Sequence, residues 1–232
     1  MADRRNLCVF DFETGGVDTR SCEIIQIGAL ILHRSNFKTL STFKSLMKPK
    51  DFDGLEQDAL DINHITKEEL ENAPEASVVW KEFANWINAY NFSRDKSFFG
   101  APVACGYNIT GFDSILFDRY CKEYGCWDEK QNRQTLFWPL NRLDVFDYMW
   151  MLFRTNTDIK RMKLTVIAEY CGVPIEEIEK GAHDAMWDVE ITAKLAVKLL
   201  KLFNRLTEVN PETGRRILNI KDCLLPTEAT NG

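Results

Sequence analysis

The sequence predicts an α/β fold with a mixed central sheet of about five strands flanked by helices. Three observations lead there. The first fifty residues hold three apolar, β-branched runs separated by polar turn material. From residue 102 onward, short strand-like and longer helix-like segments alternate. A chain of 232 residues with 45% hydrophobic content can also bury a sizeable core.

The three opening runs are LCVFDF (7–12), IIQIGALIL (24–32) and TFKSLMKP (42–49), and their spacing predicts a meander. In ITKEELENAP, Thr66 and Glu69 form a T-x-x-E capping-box signature. SVVWKEFANWINAY (77–90) follows, with Val79, Phe83, Trp86 and Ile87 at helical spacing. PVACGY (102–107) reads as a short buried strand leading to a helix over 113–124, whose apolar face is Leu116, Phe117 and Tyr120. LDVFDYMWMLF (143–153) begins as a strand and turns helical. KLTVIAEYCGV (163–173) is a helix stopped by Gly172 and Pro174, and residues 184–203 form a long amphipathic helix. Between the last two strand segments, CWDEKQNRQTLFWPLNR (126–142) reads as a polar loop. Its Trp127, Phe137 and Trp138 either pack down or stack on bases.

This reading places one domain over 1–205, with 206–232 as a short C-terminal arm that lacks sustained periodicity. The seven cysteines stand singly, with no CxxC pair, as buried thiols in a reducing compartment do. The N-terminal MADRRNL carries no signal pattern, and no apolar run approaches membrane-spanning length. The expectation is a cytoplasmic or nuclear protein that is not secreted and has no membrane partner. A net charge of −6 argues against nucleic-acid binding by overall positive charge, but it leaves open an acidic site that recruits cations. On the last predicted helix, Lys194, Lys198, Lys201 and Arg205 share one stripe, which is either a solvated face or a guide for nucleic acid.

VFDFETGG (9–16) poses the chemical question, because an apolar strand ends in two carboxylates. Unpaired acids at the edge of a core cost several kcal/mol unless something compensates them. Asp11 and Glu13 are two apart in a strand and project to the same side, so they can share a cation. Asp113 follows the PVACGY strand at the start of a helix, where it is either an N-cap or a third acid gathered over the strand ends. In GAHDAMWDVE, His183 and Asp188 are five apart. They would not share a face of one helix, but with Asp184 as the N-cap, His183 in the preceding turn can reach the cleft that Asp188 faces.

In that order, DFETGG, NITGFD and HDAMWD resemble the three motifs of the DnaQ-like (DEDDh) 3′ to 5′ exonucleases of the RNase H-like superfamily. The likeness runs from about residue 6 to 203 and includes the INHIT and KLTVIAEYCGVP segments. A tyrosine-class site is not indicated, since Asp184 stands four residues before Asp188 and His183 stands five before it. The resemblance implies an RNase H-like fold and a site in which Asp11, Glu13, Asp113 and Asp188 hold two divalent cations, Mg²⁺ or Mn²⁺, about 3.5 to 4 Å apart. It makes His183 the general base. It also sets the backbone of Thr14, Gly15 and Gly16 against the terminal nucleotide, with Val17 and Phe112 lining the base pocket and His64 either lining it too or standing as a satisfied loop histidine before the Thr66 cap. Glycines at 15 and 16 suit that approach because no Cβ obstructs it. Asn108 either pins the loop carrying Asp113 or meets the substrate. The implied activity is a metal-dependent exonuclease that removes nucleoside 5′-monophosphates from the 3′ end of single-stranded DNA. An RNA-trimming exoribonuclease and a non-catalytic adaptor for nucleic-acid ends are the alternatives. The arm after residue 205 could tether a polymerase or another replication partner.

Overall fold

The computed structural model describes residues 4–174, 184–209 and 216–218. Strands β1 (Leu7–Thr14), β2 (Ile24–Leu32) and β3 (Thr39–Leu46) form the expected antiparallel meander. Then come α1 (Gln57–Asn63), α2 (Lys67–Glu71) and α3 (Ala76–Ala89). The short strand β4 (Val103–Gly106) leads into α4 (Asp113–Glu123). A small hairpin of β5 (Trp127–Asp128) and β6 (Arg133–Gln134) precedes β7 (Arg142–Asp144), which runs directly into α5 (Val145–Phe153). Helices α6 (Leu164–Tyr170) and α7 (Ala185–Arg205) follow. In the arm, β8 (Thr207–Val209) pairs antiparallel with β9 (Arg216–Leu218).

The central sheet has the order β3-β2-β1-β4-β7, with β4 and β7 parallel to β1. Strand β1 is therefore paired on both sides, and alternate side chains along it feed two cores. Cys8, Phe10 and Phe12 join Ile27, Ala29 and Ile31 against α3 and α4. Val9 joins Leu30, Leu32 and Cys105 against α5, α6 and α7. The alternation that fills two cores also sends Asp11 and Glu13 toward the face covered by α7.

Two expectations shift. The third strand covers 39–46 rather than 42–49. Its Met47 amide turns to the Ile25 carbonyl, at 2.8 Å, and Lys48 bridges to Glu75, so the apolar run continues past the end of the strand. Residues 126–142, expected as a polar loop, carry the β5–β6 hairpin, and their rings pack down, with Leu136 and Phe137 inserted into the core. Phe137 stacks on Phe117 and Phe10, with ring centroids 4.7 and 5.3 Å apart. Trp138 lies under the Arg5 guanidinium at 3.7 Å, and Trp127 faces the Lys122 ammonium at 4.4 Å. The T-x-x-E box forms at α2 with both reciprocal hydrogen bonds, as the sequence predicts. Among the described residues, no helix is long and apolar enough to cross a membrane.

Candidate active site

Strand β1 carries Asp11 and Glu13 on one face, and α7 crosses that face with Asp188 in its first turn. Oxygen atoms of Asp11, Glu13 and Asp188 all lie within 4.8 Å of one another. Asp113 joins them from the next strand's end. It is the first residue of α4, whose N-cap is Phe112, so Asp113 is not the cap that its position also suggested. Its Oδ1 instead accepts the Phe12 amide at 3.1 Å, between the two β1 acids in sequence. Glu13 and Asp113 are buried, whereas Asp11 and Asp188 are half-buried.

Four acids gathered here make ionisation costly. Burial pushes the Asp11 carboxyl up to about 7. Burial, then repulsion from Asp11, Asp188, Asp113 and Asp184, pushes Glu13 up to about 9. Asp113 is raised well above the usual carboxylate range by burial and then by Asp11, against the Phe12 hydrogen bond, which lowers it. Among the described residues, the charged groups that raise Glu13 are all acids. A hard-oxygen donor set of this kind fits divalent cations such as Mg²⁺ or Mn²⁺.

The residues around the acids are held by contacts that motif spacing does not disclose. Asp144, at the end of β7, is 3% exposed and accepts backbone amides of Asn108 at 2.8 Å, Thr110 at 2.9 Å and Phe146 at 3.2 Å. It is this carboxylate that pins the loop leading to Asp113; Asn108 contributes its amide and a left-handed φ of 60° while its side chain stays at an exposed position. Asp184 caps α7 as expected, accepting Met186 N at 2.9 Å, and Lys44 reaches it from β3 at 2.5 Å. Gln26 and Gly28 on β2 stand opposite Glu13 and Asp11, and they receive the start of α7. A polar residue and a glycine inside an otherwise apolar strand were the signal available in IIQIGALIL.

The expected nucleotide-facing residues cluster at the end of β1. Thr14 is buried, its hydroxyl donating to the Gly16 carbonyl at 2.7 Å, and Val17 beyond it is 77% exposed. His64 is exposed at the left-handed end of α1 and sits next to Asn63, whose side chain donates to the Thr14 carbonyl at 3.1 Å. Phe112 is half-buried beside Asp113. The glycine pair also has a neighbour within the chain. A Cβ on Gly15 would lie 2.3 Å from Leu55 Cδ2, and one on Gly16 would lie 2.5 Å from Glu56 Oε1. These glycines admit the protein's own Leu55–Glu56 segment, whose Glu56 amide donates to the Gly15 carbonyl at 2.8 Å. His183 lies outside the described residues.

A family model described as exonuclease, RNase T, matches residues 8–196. The chain belongs to the exonuclease family. It is a DnaQ-like member of the RNase H-like superfamily, and all four acids fall within the matched span. This exonuclease-family chain is 24% identical over 220 residues to the PolC-type DNA polymerase III of Staphylococcus aureus, covering 93% of this chain and 13% of that protein. Its fold is similar to that of E. coli exonuclease I in complex with a dT13 oligonucleotide, with a TM-score of 0.64 at 19% identity over 87% of this chain and 43% of that one. Cell-death related nuclease 4 superposes with a TM-score of 0.65 at 17% identity, over 85% of this chain and 64% of that one. The chain spans less than two thirds of the length of each of these relatives.

Proposed function

We propose that the chain is a metal-dependent 3′ to 5′ exonuclease that hydrolyses the terminal phosphodiester of single-stranded DNA and releases nucleoside 5′-monophosphates. The observation that carries this reading is the approach of Asp11, Glu13 and Asp188 to within 4.8 Å, with Asp113 bonded to the strand between them. A folded protein retains such a costly cluster for a cation more readily than for stability.

In this reading Asp11, Glu13, Asp113 and Asp188 hold two divalent cations. When bound, such ions neutralise phosphate charge and make water a stronger nucleophile at neutral pH. His183 takes the proton of the attacking water, a role suited to an imidazole whose ordinary value lies near 6.5. Thr14, Gly15 and Gly16 lie against the terminal nucleotide, with Val17, His64 and Phe112 bordering its base. The exposure of Val17 supports a contact made only when substrate is present. DNA is favoured over RNA as substrate by the likeness to a DNA polymerase and to exonuclease I crystallised with dT13. A polymerase or replication partner, met through the arm after residue 205, is consistent with the PolC likeness.

The test is incubation of the protein with 3′-labelled and 5′-labelled single-stranded DNA and RNA, in Mg²⁺ or in EDTA. Stepwise shortening of 5′-labelled DNA and early release of the 3′ label as mononucleotide, both abolished by EDTA, are expected. Absence of mononucleotide from either polymer overturns the enzyme reading. Activity that persists in EDTA removes the cations from it, and faster release from RNA reassigns the substrate.

A further inference from the structure

We infer that Gln26 and Gly28 are positioning residues that dock the start of α7 onto β2 and thereby set where Asp188 stands against Asp11 and Glu13. The inference rests on the metal-site reading above. In the β1–β2 register Glu13 faces Gln26 and Asp11 faces Gly28, so the pair occupies the same sheet face as the acids, one strand away.

Gln26 is the polar residue of a strand buried along its whole length, and it is itself only 6% exposed. Its Oε1 accepts the Ala185 amide at 2.9 Å in a buried hydrogen bond. The first amides of a helix have no acceptor within the helix and must find one elsewhere. Asp184 Oδ1 serves Met186 and Trp187, so Gln26 provides for the one that remains at the first position. Gly28 acts by what it lacks. A Cβ there would lie 2.4 Å from the Ala185 carbonyl carbon, 2.5 Å from its oxygen and 2.7 Å from Met186 N. These are backbone atoms, and no change of rotamer relieves them. The Lys44–Asp184 pair tightens the same junction, but it is half-exposed and contributes little by itself.

Asp188 is one turn beyond this contact, its amide bonded to the Asp184 carbonyl at 3.0 Å, so a displacement of the helix start passes to its carboxylate. Restoring an ordinary 3.4 Å contact at Gly28 requires a shift of about 1 Å, whereas ligand distances in a metal site tolerate about 0.2 Å. The dock therefore has the leverage to decide cation affinity.

Mn²⁺ binding to the full chain, followed by electron paramagnetic resonance, and hydrogen exchange at the Ala185 amide test this with Gln26→Leu, Gln26→Glu and Gly28→Ala. Gln26→Leu and Gly28→Ala are expected to weaken Mn²⁺ binding about tenfold or more, as loss of groups that orient metal ligands does. Gln26→Leu should also speed exchange at Ala185, and Gln26→Glu, which keeps the acceptor oxygen, should restore protection. A lowered melting temperature with unchanged Mn²⁺ affinity would mean a merely structural role and overturns the inference. If Gly28→Ala fails to fold, Gln26→Leu decides. If the unmodified protein binds no Mn²⁺, the metal reading fails on its own, and unchanged Ala185 protection in Gln26→Leu then overturns the dock separately.

Discussion

Asp144 illustrates what a single residue can do without appearing in a motif. Its carboxylate collects three backbone amides in part-buried hydrogen bonds, two of them from the loop that delivers Asp113. Asp144→Ala is expected to destabilise the protein by about 2–4 kcal/mol in urea unfolding, because it removes three hydrogen bonds worth about 0.5–1.5 kcal/mol each. Asp144→Asn keeps one acceptor oxygen and should lose less. The acids that do appear in motifs were legible because their chemistry demands fixed spacing: Asp11 and Glu13 must alternate along a strand. Asp144 escaped notice because a carboxylate serving backbone amides needs no fixed sequence neighbours. The packing of Gly15 and Gly16 against Leu55 and Glu56 was hidden similarly, since those residues approach from a remote segment. At the same scale, His183→Ala is expected to lower turnover by about 10²–10⁴-fold while leaving Mn²⁺ affinity unchanged, whereas Asp188→Asn should lower both. Equal loss of Mn²⁺ affinity in the two variants would place His183 among the ligands instead.

At the scale of elements, amphipathic periodicity served well where one face is buried and one is wet. Helices α3, α4 and α7 fall within a few residues of their expected bounds for that reason. The rings of residues 126–142 pack down, one of the two outcomes their sequence allowed, but the β5–β6 hairpin was not legible, because its order comes from contacts made by other segments. Phe137 is 2% exposed and is held by Phe10 and Phe117. Phe137→Ala should cost about 3–5 kcal/mol in urea unfolding, the usual range for emptying an aromatic site in a core. A loss below about 1 kcal/mol would show that the segment folds down without this anchor. The α2 capping box was legible because its partners are three residues apart. Thr66→Ala should cost only about 1 kcal/mol, since the cap lies on the surface.

For the whole molecule, the acid cluster couples stability to pH and to cations. Asp11 and Glu13 hold their protons up to about 7 and about 9 when folded, against about 4 when unfolded. Between those limits the folded state binds more protons, so their contribution is present at low pH and is lost as the pH rises. In EDTA the melting temperature should therefore fall between about pH 5 and pH 8. Added Mg²⁺ or Mn²⁺ should raise it most at the alkaline end, where the carboxylates are free to bind, by the linkage of any ligand that prefers the folded state. A melting temperature at pH 8 that ignores millimolar Mn²⁺ would argue that the cluster does not hold cations.

The distribution of the four acids along the chain has a further consequence. Asp11 and Glu13 belong to the first strand, while Asp188 belongs to a helix that packs across it only after the intervening elements have been made. During synthesis from the N-terminus, the emerging chain presents two carboxylates on an uncovered strand, Asp113 follows with α4, and the fourth arrives when α7 settles against Gln26 and Gly28. In the proposed reading, competence to cut a polymer is thereby deferred until α7 is in place. A ribosome surrounded by nucleic acid would be holding, until that moment, an unarmed chain.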